Sequence, residues 1–192
     1  MLLKKLITYF RNLICLVGLF FVSPLIFLAA MAIIIEDGMP IFFIQNRIGK
    51  NKSNFRIIKI RTLKNEAPDV GTHQLDQKYD LNSGKLLRRI KLDELPQLIN
   101  VLKGDINLIG PRPGLISQIE LTESRNSKGV YEVKPGITGL SQVLGYDMTN
   151  PIKLAEIDKF YIDNKSLYMD SLILIGTFIK YPKQYLEKII EQ

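Results

Sequence analysis

The chain has 192 residues, enough for one domain with a genuine apolar core and an appended segment. Its 26 Lys and Arg against 19 Asp and Glu leave a formal charge of +7, which suits phosphate-bearing partners or anionic lipid heads. A single cysteine, Cys15, excludes an intramolecular disulfide, and with one histidine there is no donor set for structural zinc, so any metal would take oxygen ligands, as Mg²⁺ or Mn²⁺ do. Tryptophan is absent and no nucleic-acid-binding module is recognisable, so nucleic acid is not an expected partner.

The first predicted element is an apolar segment, charge-free from Leu13 to Ile35. As a straight helix it would be roughly 35 Å long, enough to cross a bilayer core. Lys4, Lys5 and Arg11 precede it, and Arg47, Lys50, Lys52 and Arg56 follow it. Three readings compete. A signal peptide would explain the basic start, but the apolar run exceeds the roughly 7–15 residues of such a segment. A single span fits the length, with Pro24 an ordinary kink. A re-entrant helix-break-helix, turning at Ser23-Pro24 and returning to the same face, accounts for basic residues on both flanks. The Ser23 hydroxyl would then satisfy a backbone group freed by Pro24. Cys15 reads as an apolar filler.

"EDGMP" at Glu36–Pro40 is a turn cluster that should end the segment. "IFFIQNRIG" has strand composition, "KNKSN" reads as a turn, and "FRIIKIRTL" (Phe55–Leu63) as a strand carrying Arg56, Lys59 and Arg61. Residues 65–83 form a polar loop able to cover a site, and His73 within it is an incidental loop residue. "GKLLRRIKL" is helical. "DELPQLINVLKGD" reads as a fresh helix capped by Asp93, with Pro96 tolerated in its first turn and Gly104 as its stop. "INLIGPRPG" is a short apolar run closed by a rigid Pro-Arg-Pro turn. "KPGITGLSQVLG" is glycine-punctuated strand and loop, and "PIKLAEIDKFYIDN" a mostly surface helix. From Ser166 onward the apolar pattern suits a helix lying on lipid headgroups or, equally, a terminal core helix.

The pair Asp93-Glu94 is the chemical centre of interest. A carboxylate held among Arg88, Arg89, Lys59 and Arg61 stays ionised and can attack phosphorus, while an adjacent acid shares a divalent ion with a diphosphate. Neighbouring helical residues diverge by roughly 100°, so the two acids can hold different roles. The plainer reading is an N-cap with an Arg89–Asp93 surface pair at i,i+4 spacing.

Several stretches together change that balance: Ser23-Pro24, "DGMPIFFIQNRIGKNKSNFRIIKIRTL", "LLRRIKLDELPQLINVLKGDINLIGPRPG" and "VKPGITGLSQVLG". In this order they cover most of the chain, which resembles the monotopic phosphoglycosyl transferases, or bacterial sugar transferases, and in size their small members that contain only the catalytic unit. The resemblance implies an α/β fold, mostly helical with short strands. It implies a re-entrant membrane hairpin over residues 1–36 and, over 37–192, a catalytic domain with interfacial C-terminal helices on the cytoplasmic face of the bacterial inner membrane. The implied reaction moves a sugar-1-phosphate from a UDP-sugar, expected to carry an N-acetylated hexosamine, to undecaprenyl or another polyprenyl phosphate, releasing UMP. This is the first membrane step of capsule, O-antigen, exopolysaccharide or glycoprotein glycan synthesis. Asp93 maps to the nucleophile, Glu94 lies beside it, and both are implied ligands of Mg²⁺, with Mn²⁺ as a substitute. Arg88 maps to a lipid-phosphate contact, and Lys59 and Arg61 on the basic strand near the acids, with Gly110, Pro111, Arg112, Pro113 and Gln142, are implied substrate-binding residues. Membrane lipids are implied partners, and a homodimer is compatible with the pattern. Leu144 and Tyr146 depart from the family, which more often has Asn and Arg there. The competing expectation is a non-enzymatic membrane adaptor in polysaccharide assembly, with Asp93 only a cap.

Overall fold

A computed structural model describes residues 2–68, 75–179 and 185–188; His73 lies outside them. The chain folds as two compact units, one of residues 1–45 and 56–103, the other of residues 46–55 and 104–192. The described residues are mostly helical with four short strands.

In the first unit, α1 (Leu2–Asp37) is one uninterrupted helix. The break expected at Ser23-Pro24 is absent: helical backbone runs through Pro24. Pro24 has no N–H to give to Phe20 O, its i−4 partner, and the Ser23 hydroxyl donates to that same carbonyl at 2.8 Å. The side chain thus repairs locally the bond that proline removes. Residues Thr8–Asp37 are long and apolar enough to cross a membrane, by length and composition. Much of this surface is uncovered, including Phe20, Phe21, Phe27 and Leu28. Soluble proteins seldom leave a continuous apolar surface of that kind in water. The helix ends where expected. Gly38 takes the left-handed conformation at φ 69 and its N–H bonds Ile34 O.

β1 (Phe42–Ile48) and β2 (Asn54–Ile60) form a two-stranded sheet. A buried side chain stands in for a further strand beside β2: Asn100 Oδ1 accepts from Ile58 N–H at 3.1 Å and Asn100 Nδ2 donates to Arg56 O at 2.7 Å. α2 (Asn82–Arg89) follows the loop, then a 3₁₀ segment, Leu92–Gln97, leading into α3 (Leu98–Lys103). Gly104, at φ 83, is the stop. The unit's core joins Ala29 and Ile33 of α1 to Ile60, Leu81, Leu87 and Leu92. Each fully buried Ile or Leu contributes about 1.5–3 kcal/mol. The apolar helix is therefore stitched into the first unit along the face that carries Val22, Ile26, Ala29 and Ile33.

In the second unit, β3 (Asn107–Ile109) pairs in parallel with β4 (Gly136–Thr138), Asn107 opposite Gly136 and Ile109 opposite Thr138. α4 (Ile119–Ser127) lies between them in sequence, and α5 (Leu140–Leu144), α6 (Pro151–Asp163) and α7 (Leu167–Gly176) follow β4. Residues 140–144, read as loop in the sequence, are helical. α6 is not a surface helix: Leu154, Ala155, Ile157, Asp158 and Tyr161 are buried. The core collects Leu140, Val143, Leu144, Ile157, Tyr161, Met169 and Ile173. α7 divides its apolar residues, Met169 and Ile173 facing in and Leu167, Leu174 and Ile175 exposed.

Candidate active site

The acids sit where the chain reverses after α2. Ile90 ends that helix, and Lys91 adopts a left-handed backbone at φ 56 before the 3₁₀ turn begins. Lys91, not Asp93, occupies the N-cap position, so the capping expected of Asp93 is not its role. Arg89 and Asp93 lie on separate helical segments, which removes the i,i+4 geometry of the plainer reading. Asp93 is buried, with 8% of its surface exposed. Glu94 is held differently: Lys59 Nζ, from β2, donates to its Oε1 at 2.9 Å, with both side chains about 15% exposed. Both acids thus lie in one 3₁₀ turn, Asp93 buried there and Glu94 tied to the lysine of β2.

The arginines split as well. Arg88 Nε donates to Thr62 Oγ1 at 2.9 Å, and its Nη1 to Asp80 Oδ1 at 2.9 Å. Its Nη2 is buried without a hydrogen-bond partner among the described residues. A buried guanidinium nitrogen in that state costs free energy until an anion or acceptor meets it. Arg61 is the opposite case. Its Nε bonds Pro40 O, Nη1 bonds Asp37 and Leu63 O, and Nη2 bonds Asp37 O and Gly38 O. All five N–H donors are committed to the turn that ends α1. In this structure Arg61 fastens the turn rather than presenting an open donor face.

The second unit carries the Gly110–Pro113 turn and Gln142. Gly110 N–H bonds Thr138 O at 2.9 Å, extending the β3–β4 ladder. A Cβ on Gly136 would lie 2.2 Å from Gly110 N, and one on Gly139 would lie 2.2 Å from Gly110 O. Backbones this close leave no room for side chains, which explains the glycine punctuation. Pro111 and Pro113 are buried and Arg112 between them is half-buried. Gln142 Nε2 donates to Ile137 O at 3.3 Å, while its Oε1 is buried and unpartnered among the described residues. Leu144 is a core residue, so apolar packing absorbs that departure from the family, whereas Tyr146 is 42% exposed.

No group of three or more His, Cys, Asp or Glu gathers among the described residues. That rules out a closed all-protein metal cage there, but Mg²⁺ is commonly held by one or two carboxylates completed by substrate phosphates and water. Asp93 and Glu94 are two adjacent carboxylates, the number that such an arrangement would need from the protein.

Several supporting residues escaped sequence reasoning. Glu36 accepts from the N–H groups of Asn82 at 2.6 Å and Ser83 at 3.0 Å and from the Ser83 hydroxyl at 2.7 Å, capping α2 from the end of α1. Asp80 and Thr62 hold Arg88. Arg125 and Asp158 form a buried pair in the second unit, where burial pushes the Asp158 carboxyl up against the opposing pull of Arg125 and the Ser141 hydroxyl. Their only sequence signal was a charged residue at a position helical spacing could turn inward.

Against this geometry, comparison with known proteins gives a consistent answer. Residues 3–184 match the model of the bacterial sugar transferases. The chain belongs to that family and is a phosphoglycosyl transferase. It is 38% identical over 159 residues to the uncharacterized sugar transferase EpsL of Bacillus subtilis, covering 82% of this chain and 78% of the relative. It is 39% identical over 163 residues to the UDP-N-acetylgalactosamine-undecaprenyl-phosphate N-acetylgalactosaminephosphotransferase of Aeromonas hydrophila. That match spans 81% of this chain but 38% of the longer relative. The UDP-glucose:undecaprenyl-phosphate glucose-1-phosphate transferase of Caulobacter vibrioides is 38% identical over 166 residues, covering 81% of this chain and 61% of its own.

Proposed function

We propose that the enzyme transfers a sugar-1-phosphate from a UDP-sugar to undecaprenyl phosphate or another polyprenyl phosphate, with Asp93 as a covalent nucleophile. A carboxylate oxygen of Asp93 attacks the sugar-bearing phosphorus. The bond from that phosphorus to the bridging oxygen breaks, and UMP leaves with the oxygen. In the second half a phosphate oxygen of the lipid attacks the same phosphorus, the Asp93–phosphorus bond breaks, and the carboxylate is restored. What supports this reading is the placement of the adjacent acids, Asp93 buried in the same 3₁₀ turn in which Lys59 meets Glu94 at 2.9 Å. Two relatives bear names that specify UDP-sugars and undecaprenyl phosphate, which supports the substrate classes.

Asp93 and Glu94 would hold Mg²⁺, which when bound offsets charge on the donor diphosphate. The Arg88 Nη2 donor is suited to the lipid phosphate, and Arg112 to a phosphate or the base of the donor. The exposed face of α1 is suited to lipid, and the basic residues that follow the helix favour a catalytic domain on the cytoplasmic side of the inner membrane. An N-acetylated hexosamine is the proposed sugar.

Asp93→Asn should abolish UMP release with UDP-sugar, lipid phosphate and Mg²⁺ supplied, and labelled donor should leave a sugar-phosphate adduct on the unaltered enzyme only. Continued turnover by the variant would remove Asp93 as nucleophile. A panel of UDP-sugars identifies the donor, and cysteine labelling of both flanks of α1 tests the topology.

A further inference from the structure

Four consecutive carbonyls at the Pro-Arg-Pro turn are each held by a different donor within the second unit. Gly136 N–H bonds Pro111 O at 3.0 Å and Ile48 N–H bonds Gly114 O at 3.1 Å. Between them, Arg125 Nη1 bonds Arg112 O at 2.8 Å and Arg47 Nη1 bonds Pro113 O at 3.2 Å. Arg125 stands out because it is 1% exposed and belongs to a built network. Its Nε and Nη2 grip Asp158 Oδ2 at 2.9 and 2.6 Å. Asp158 Oδ1 accepts from Ser141 Oγ at 3.1 Å, and Ser141 is wholly buried. One connected chain of bonds thus runs from α5 through α6 and α4 to the Arg112 carbonyl.

Stability alone is a poor reason for such a network, since well-packed apolar residues usually replace a buried ion pair without loss. What the network supplies is direction. The guanidinium is a planar, rigid fork, so fixing its Nε–Nη2 edge on Asp158 fixes where Nη1 points. That nitrogen sets the peptide plane following Arg112. Pro111 and Pro113 have locked φ, and Pro113 confines Arg112 itself to extended backbone.

We infer that Arg125, braced by Asp158 and Ser141, is a positioning residue that aims the Arg112 side chain at the nucleotide-sugar donor. The inference rests on the reading above that Arg112 contacts the donor. Arg125 touches no substrate; it acts through the backbone of its target. Lysine at 125 would keep a charge but could not hold Asp158 with two nitrogens and Arg112 O with a third.

The test uses the full-length membrane enzyme, with initial rates of UMP release measured against UDP-sugar and against lipid phosphate, and thermal unfolding measured in parallel. Misplacement near 1 Å costs about 100-fold, so Arg125→Lys should lower kcat/KM for the donor roughly 10–100-fold and leave the KM for lipid phosphate unchanged. Ser141→Ala, a milder change that keeps the ion pair, should shift the same parameter in the same direction by a smaller factor. The deciding measurement is the cycle with Arg112→Ala. On that background Arg125→Lys should change donor kcat/KM by less than about 2-fold, because paired residues acting through one contact are non-additive, while its effect on the unfolding temperature persists. Equal loss of kcat/KM with and without the Arg112 side chain would overturn the inference, showing a general effect on the fold. Unchanged donor kinetics in Arg125→Lys would overturn it too. Full activity in Arg112→Ala alone would instead overturn the assignment of Arg112 to the donor, and the aiming role with it, while leaving Asp93 as nucleophile untouched.

Discussion

Gly84→Ala sets two physical effects against each other at a position that controls Arg88. Gly84 is buried within α2. By helix propensity the change should stabilise the helix by about 1 kcal/mol. The structure says otherwise: a Cβ there would lie 2.2 Å from Thr62 O and 2.9 Å from Thr62 C and Cα. The obstacles are backbone, so no side chain can swing aside, and the helix must retreat by about 1 Å to restore ordinary contact. That retreat strains Leu81 N–H to Thr62 O, now 3.1 Å, and Arg88 Nε to Thr62 Oγ1, now 2.9 Å. Overpacking costs about 1–3 kcal/mol and each weakened hydrogen bond about 1 kcal/mol, so a net loss of about 2–4 kcal/mol is expected after the propensity gain. Because Arg88 moves with the helix, turnover at limiting lipid phosphate should fall by about 100-fold. Thermal unfolding in detergent and UMP release against lipid phosphate measure both effects. A raised unfolding temperature with full turnover would refute the steric reasoning and return the position to simple propensity.

Asn100→Ala should cost about 2–4 kcal/mol in denaturant titration, since it orphans Ile58 N–H and Arg56 O together. Asn100→Asp should be nearly as damaging, because a carboxylate cannot donate to Arg56 O. Arg61→Lys should destabilise by about 2–4 kcal/mol, as one ammonium cannot serve three loop carbonyls, the Asp37 carbonyl and the Asp37 carboxylate. Its KM for UDP-sugar should be unchanged at a permissive temperature; a raised KM would place Arg61 on the substrate. Chelation should abolish UMP release and Mg²⁺ or Mn²⁺ restore it, with Glu94→Gln shifting the metal titration to higher concentration. An unshifted titration would take Glu94 out of the metal site.

Much of the chain's local order could be read without coordinates, because local order answers to local physics. The charge-free run became α1, Gly38 and Gly104 ended their helices through left-handed backbone, and the strand stretches around Asn51 became β1 and β2. The need of the Phe20 carbonyl for a new donor followed from Pro24, and Ser23 met it. The ordered motifs also identified the family, because they record which residue types stand at which spacing.

What the sequence could not decide is which partner each polar group finds. Asp93 resembles a cap in isolation, yet Lys91 takes the cap position where the chain reverses. Arg61 and Lys59 look alike on a basic strand; one is consumed by the end of α1 and the other reaches Glu94, 35 residues away. Arg125 looks like surface charge until α6 brings Asp158 to it across 33 residues. Hydrophobic periodicity is set by neighbours three or four positions apart, so it is written along the chain. The satisfaction of a buried charge depends on a group brought in by folding, and only the tertiary structure names that group.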